Sequence, residues 1–168
     1  LRDGLARFAF YPPFGGIADC HETEYITTIA SVPVVASDHP LAKEPGPIAR
    51  EIMEQQVQLV LTDRTPLSSG LSGGIISHRT WRFADLSTRL DFLLAGFGWC
   101  NMPVPVVRQP IAEGRLKVLS LKEHTAREFP IHAVYDRGRA PGKAGRWLID
   151  DLRGRVKDCN ALPLPTAA

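Results

Sequence analysis

The chain has 168 residues, 44% hydrophobic and 23% charged, which suits a soluble globular domain with a core of its own. Its net charge of +2 argues against a nucleic-acid-binding stripe, and no apolar run is long enough to cross a bilayer. Three cysteines, Cys20, Cys100 and Cys159, are an odd set for a disulfide framework and fit a reduced compartment. Arg2-Asp3-Gly4 reads as a glycine-capped helix end, followed by an apolar strand, Leu5 to Phe10, buried on both faces. Tyr11-Pro12-Pro13-Phe14-Gly15-Gly16 breaks the strand, and Ile17 to Glu24 reads as loop. Tyr25 to Ala36 is β-branched and apolar, a long strand bent at Pro33. Ser37 to Pro40 is a turn in which His39 makes a local hydrogen bond. Pro47 to Gln55 reads as a short helix with proline in its first turn, and Val57 to Thr62 as a strand.

Pro66 to Gly74 is a Ser/Gly-rich surface loop, and Thr80 to Phe83 is extended. Asp85 then stands as a helix N-cap, since its carboxylate can accept an orphan backbone N–H. Leu86, Leu90, Leu93, Leu94 and Phe97 make one apolar stripe, leaving Ser87, Thr88, Arg89 and Asp91 on the exposed face. Gly96 and Gly98 end the helix. Trp99 to Met102 is extended and closed by Pro103, a second helix spans Val104 to Glu113 and stops at Gly114, and Arg115 to Leu121 is a strand. Glu128 to Asp136 is another strand, Arg137 to Gly142 a turn, and Lys143 to Val156 a helix facing inward through Ala144, Trp147, Leu148 and Leu152. The basic residues Arg137, Arg139, Lys143 and Arg146 read as solvated surface. Strands alternating with helices and tight glycine turns define an α/β chain with parallel strands.

Few residues promise chemistry. The SSGLSGG run lacks the lysine and strand-helix setting of a phosphate loop, and Gly96-Phe97-Gly98 closes a helix instead of opening one. Cys20-His21-Glu22 are adjacent and have no second cluster at ligand spacing, so no metal is expected. His78, His124 and His132 are scattered, and Ser68 and Ser69 lack a nucleophile elbow. Asp85 and Asp91 lie on different faces of one helix, so they are no acid-base pair. Cys100 reads as a buried inert thiol, and Trp81, Trp99 and Trp147 as core anchors. Ligands of open α/β folds sit beyond the carboxyl ends of strands. Tyr11-Pro12-Pro13, Thr62 to Thr65 and Trp99 to Met102 occupy such places. Thr62 and Thr65 can offer hydroxyls and Arg64 a bidentate grip on a carboxylate; equally, the threonines can cap turns and Arg64 can be solvated.

AGFGWCNMP followed by VVRQPIAEGRLKVLSL resembles the late part of the effector-binding domain of LysR-type transcriptional regulators. VVASDHPLAK resembles that family's strand-turn ending in His-Pro-Leu-Ala, and LRDGLARFAF, QLVLTDRT and TWRFADL fall in the family's order, over roughly residues 1 to 155. Arg7 and Phe8 depart from the acidic-apolar pair preferred there, and the chain begins late against the family. The resemblance implies two Rossmann-like lobes of the periplasmic-binding-protein type II kind, with the first lobe incomplete. Residues 33–113 would form lobe II, residues 1–32 and 114–156 part of lobe I, and residues 157–168 a flexible tail. It further implies a small anionic effector held between lobes by Tyr11, Pro12, Thr62, Arg64, Thr65, Trp99 and Met102. The helix from Asp85 to Ala95 would face a partner subunit, giving a dimer or higher homo-oligomer. DNA would be met only through a helix-turn-helix domain absent from these residues. The family's setting is the cytoplasm, with no membrane contact, no cofactor, no metal and no catalysis. A solute-binding protein of a transporter shares the architecture and is the alternative; an exported protein would carry a signal peptide.

Overall fold

The computed structural model describes residues 1, 6–13, 17, 19–62, 74–123 and 127–160. Tyr25 to Ala36 belongs to a longer strand, β2 (His21–Ala36), whose last six residues are all buried. The reason is pairing along both edges. Ser31 to Val35 runs antiparallel to β5 (Trp99–Pro103), and Val34 to Ala36 runs antiparallel to β6 (Leu116–Val118). A strand bonded on both sides and covered on both faces needs a continuous apolar run, which Val32, Val34, Val35 and Ala36 supply.

The chain divides within β2. One unit comprises the described residues of Leu1–Ala30 and Glu128–Leu164, the other those of Ser31–Arg127. Residues 114–123 and Arg127, expected with the first lobe, belong to the second unit. β6 is paired with the end of β2, the Ser37 amide donates to the Arg115 carbonyl at 3.0 Å, and Ile48 bridges Leu121. The return to the first unit therefore falls at Arg127–Glu128.

In the second unit β3 (Val57–Leu61) runs parallel to β4 (Arg79–Phe83) and to β5. The strands are thus mixed, not all parallel, because β2 enters against β5. A 3₁₀ turn, Pro40–Lys43, is capped by His39, whose Nδ1 accepts from the Leu41 amide at 3.1 Å. The helix expected from Pro47 starts later, as α1 (Arg50–Gln55), since Ile48 is held in the bridge to Leu121. Val35, Leu41, Ala42, Ile48, Met53, Trp99 and Leu119 form one buried cluster.

Helix α2 (Leu86–Leu94) is capped as its sequence indicates, with the Asp85 carboxylate accepting from the Thr88 amide at 2.8 Å. Its inward face differs from the apolar stripe. Phe97 is 49% exposed and stacks with the rings of Trp81 and Phe92. Arg89, expected in solvent, is buried. It lies four residues before the fully enclosed Leu93, so the helix repeat carries it inward. Gly96 does take the left-handed turn, at φ +77, but Gly98 serves a different need: its missing Cβ makes room for the Val57 backbone carbonyl. Helix α3 (Val104–Ala112) then ends at Gly114, at φ +72.

In the first unit β1 (Phe8–Tyr11) is antiparallel to β7 (Arg127–Asp136), with Tyr11 opposite His132. Helix α4 (Lys143–Asn160) turns a different side inward from the one its tryptophan marks. Ile149 is buried with Ile26 and Ala133, and Val156 packs on them, whereas Trp147 is 65% exposed. Gly145 admits the Phe8 ring, a Cβ there lying 3.2 Å from Phe8 Cε1, and this sets the inward line.

Glu24 of β2 fastens α4 to the first unit. Arg146 Nη1 donates to both carboxylate oxygens at 2.7 Å, Tyr135 donates at 2.6 Å, and Arg153 at 3.2 Å. The Arg146 bond, then Tyr135, hold the carboxyl down at about 2. A carboxyl with a depressed folded pKa stabilises above its unfolded value and loses that contribution as pH falls through the folded one. Glu24→Gln is therefore expected to cost about 1 kcal/mol near neutrality, once screening of the half-exposed arginines is allowed for. That deficit shrinks toward zero between pH 4.5 and pH 2, read by urea denaturation across that range. Gly98→Ala forces a methyl into the Val57 carbonyl and should cost roughly 2 kcal/mol or more, measured the same way at pH 7.

Candidate functional site

The parallel strands of the second unit end together. Leu61 of β3 is level with Phe83 of β4, and the Gln58–Trp99 register, continued three residues, puts Met102 of β5 level with Leu61. Immediately past β3, Thr62 is pinned to the neighbouring strand. Its amide donates to the Phe83 carbonyl at 2.7 Å and its hydroxyl donates to the same oxygen at 3.0 Å. The hydroxyl hydrogen is thereby committed, and Oγ1 presents lone pairs to a donor.

Arg64 and Thr65 lie outside the described residues. Tyr11, the last residue of β1, and Pro12 after it are half-buried in the first unit. Trp99 opens β5 and so stands at its amino end, not at the carboxyl end. It is 1% exposed, level with Gln58, and so roughly 13 Å down the strand from Thr62 at about 3.3 Å per residue. Met102 is at the right level but wholly enclosed, its Sδ accepting from Arg89 Nη2 at 3.1 Å.

Behind the strand ends sits a buried polar hub. Gln58 Oε1 accepts from the amides of Ile76 and Ser77 at 2.9 and 3.1 Å, and its Nε2 donates to the Gly74 carbonyl at 2.8 Å. Ser77 Oγ donates to the Met53 carbonyl at 2.9 Å and accepts from the Trp99 indole at 3.2 Å. Residues 74–77 have no strand partner, so one glutamine side chain completes their backbone bonds. Neither Gln58 nor Ser77 was marked by sequence reasoning: a polar residue inside an apolar strand is the trace, but its partners are sixteen or more residues away.

Arg89 completes the set. Its Nη2 donates to the Asn101 carbonyl as well as to Met102, both at 3.1 Å. Burial pulls its pKa down, as expected for a charge taken from water. Burial also pushes the neighbouring Cys100 thiol up to about 12, so it stays neutral and inert. Among the described residues no group of three or more His, Cys, Asp or Glu side chains is arranged to hold a metal, and no helix is long and apolar enough to cross a membrane.

Comparison with known proteins agrees with this geometry. A model of the LysR substrate binding domain matches residues 19–157, and the chain belongs to that family. The probable HTH-type transcriptional regulator YhaJ of Escherichia coli K12 is 29% identical over 126 residues, which is 74% of this chain and 41% of that protein. The chain thus spans about two-fifths of the length of that relative.

Solved regulatory domains share the fold. MetR from Neisseria meningitidis superposes with a TM-score of 0.73 at 12% identity, over 94% of this chain and 74% of that one. CrgA from the same organism gives 0.69 at 20%, over 92% and 78%. The effector binding domain of QuiR in complex with shikimate gives 0.68 at 18%, over 95% and 75%. The fold is accordingly α/β of the periplasmic-binding-protein type II kind. These matches do not favour the transporter reading.

Gln58→Leu strands the Ile76 and Ser77 amides and the Gly74 carbonyl in the interior. It should cost about 2–3 kcal/mol by urea denaturation and speed amide exchange at Ile76 and Ser77 ahead of the rest of the core.

Proposed function

We propose that the chain is the ligand-sensing part of a bacterial LysR-type transcription regulator, responding to a small anionic effector. The observation that carries this is the family match over residues 19–157, supported by strand ends of the second unit that converge beside a pinned threonine. The domain works by binding and not by turnover. Effector binding favours one arrangement of the domain over another, and that preference is passed to DNA-binding elements elsewhere in the whole protein. DNA contact falls to a helix-turn-helix domain, the working state is a homodimer or higher homo-oligomer, and the setting is the cytoplasm.

Contacts to the effector are proposed for Tyr11 and Pro12 in the first unit and for Thr62, Arg64 and Thr65 in the second. Thr62 serves as an acceptor for a ligand hydroxyl or amine, its own hydrogen being spent on Phe83. Met102 and Trp99 keep the strand ends in shape from beneath, through packing. That QuiR binds shikimate supports placing a small hydroxy acid in the first screening panel.

The test is thermal denaturation against a panel of small acids. One of them should stabilise saturably, by about 2.7 kcal/mol at a hundredfold excess over its Kd. Thr65→Val should abolish the shift, and an unchanged shift removes Thr65 from the site. No saturable stabilisation from any acid, or specific retardation of promoter DNA by this chain alone, would overturn the proposal.

A further inference from the structure

We propose that Arg89 is the anion-pairing group of the ligand site in the second unit, so that the ligand presents an oxyanion to it. The identity of the physiological ligand rests on the effector reading above; the role of Arg89 does not. Arg89 is 8% exposed, and among the described residues no carboxylate pairs with its guanidinium. Arg50, Arg115, Arg146, Arg153 and Arg155, all more exposed, each have one. The acceptors Arg89 does have, the Asn101 carbonyl and the Met102 sulfur, are neutral and both take Nη2.

Among the described residues Nε is sealed from solvent without a partner, and Nη1 has no partner either but is not sealed. A buried guanidinium whose Nε–H is unanswered is costly, and a lone buried charge persists where something supplies its complement. The place fits a ligand. Arg89 lies in the first half of α2, just after β4, and its two acceptors lie near the carboxyl end of β5, the latter level with Leu61. Thr62, next along, has already spent its hydroxyl hydrogen and cannot bind an anion as a donor; Arg89 supplies what it lacks. The recognised chemistry is a small oxyanion, which a carboxylate or an inorganic ion can provide.

The experiment titrates the chain with sodium benzoate and, separately, sodium sulfate, each against sodium chloride at equal ionic strength, following thermal unfolding. The wild type should be stabilised saturably in the low-millimolar range by at least one of them, beyond the general effect of salt. Benzoate alone, or sulfate alone, identifies which source of oxyanion the site accepts. Arg89→Met should weaken that binding at least tenfold, and Arg89→Lys should restore part of it. With no anion present, Arg89→Met should unfold at the wild-type temperature or above, because an apolar chain of similar length removes the uncompensated charge.

The inference falls if neither anion stabilises the wild type saturably, if Arg89→Met binds as well as wild type, or if both variants are strongly destabilised without anion, which marks a purely structural arginine. An organic effector bound equally by wild type and Arg89→Met would leave the sensor reading standing and remove Arg89. Anion binding lost in Arg89→Met, with no effector found in a wide panel, would do the reverse.

Discussion

The last three residues of β2 are the constraint on which the second unit depends. Val34 and Val35 pair with β5 on one edge and, together with Ala36, with β6 on the other, and all three are almost wholly enclosed. Antiparallel pairing fixes the register of β5, and β5 in turn sets the level of β3 and β4 through the Gln58–Trp99 pairing. A slip of one residue would turn Val35 and Trp99 out of the common core, so register there is strongly specified. The level at which β3, β4 and β5 terminate, and therefore the floor of the candidate site, follows from that one triple-stranded contact.

Around this frame the polar groups divide into two kinds. Gln58 and the Ser77–Trp99 indole pair bond to nearby backbone, which rigidifies the segment returning to β4. Thr62 is likewise tied to Phe83. These side chains build a surface that cannot rearrange cheaply, and a recognition site benefits from that, because little ordering remains to be done when a ligand arrives.

The charges divide in the same manner. Glu24 collects Arg146, Arg153 and a tyrosine hydroxyl, and with Asp150 answering Arg153 the whole group is internally neutralised. Its work is to hold α4. Arg89 is the opposite case, more deeply placed and answered only by neutral acceptors. A structural role and a binding role are separated here by whether the partner charge is already present in the chain.

Local signals in the sequence determined much of this protein. The Asp85 cap, the Gly96 and Gly114 turns, the apolar run ending at Ala36, the strand Val57 to Leu61 and the inert Cys100 each depend on a few adjacent residues, and each is found. The motif order also sufficed to identify the family, since it survives divergence that erases individual contacts. What only the tertiary structure decided were matters of facing and partnership. Trp147 and Phe97 look outward although they are large aromatic residues, because Gly145 and the aromatic neighbours on β4 and α2 choose the inward line. Residues 114–123 stay with the second unit because β6 finds its edge on β2, some eighty residues earlier. Arg89 reads as solvated because side-chain type dominates short-range reading. It is buried because the helical repeat sets it beside Leu93, and its long apolar stem lets the charged head reach Asn101.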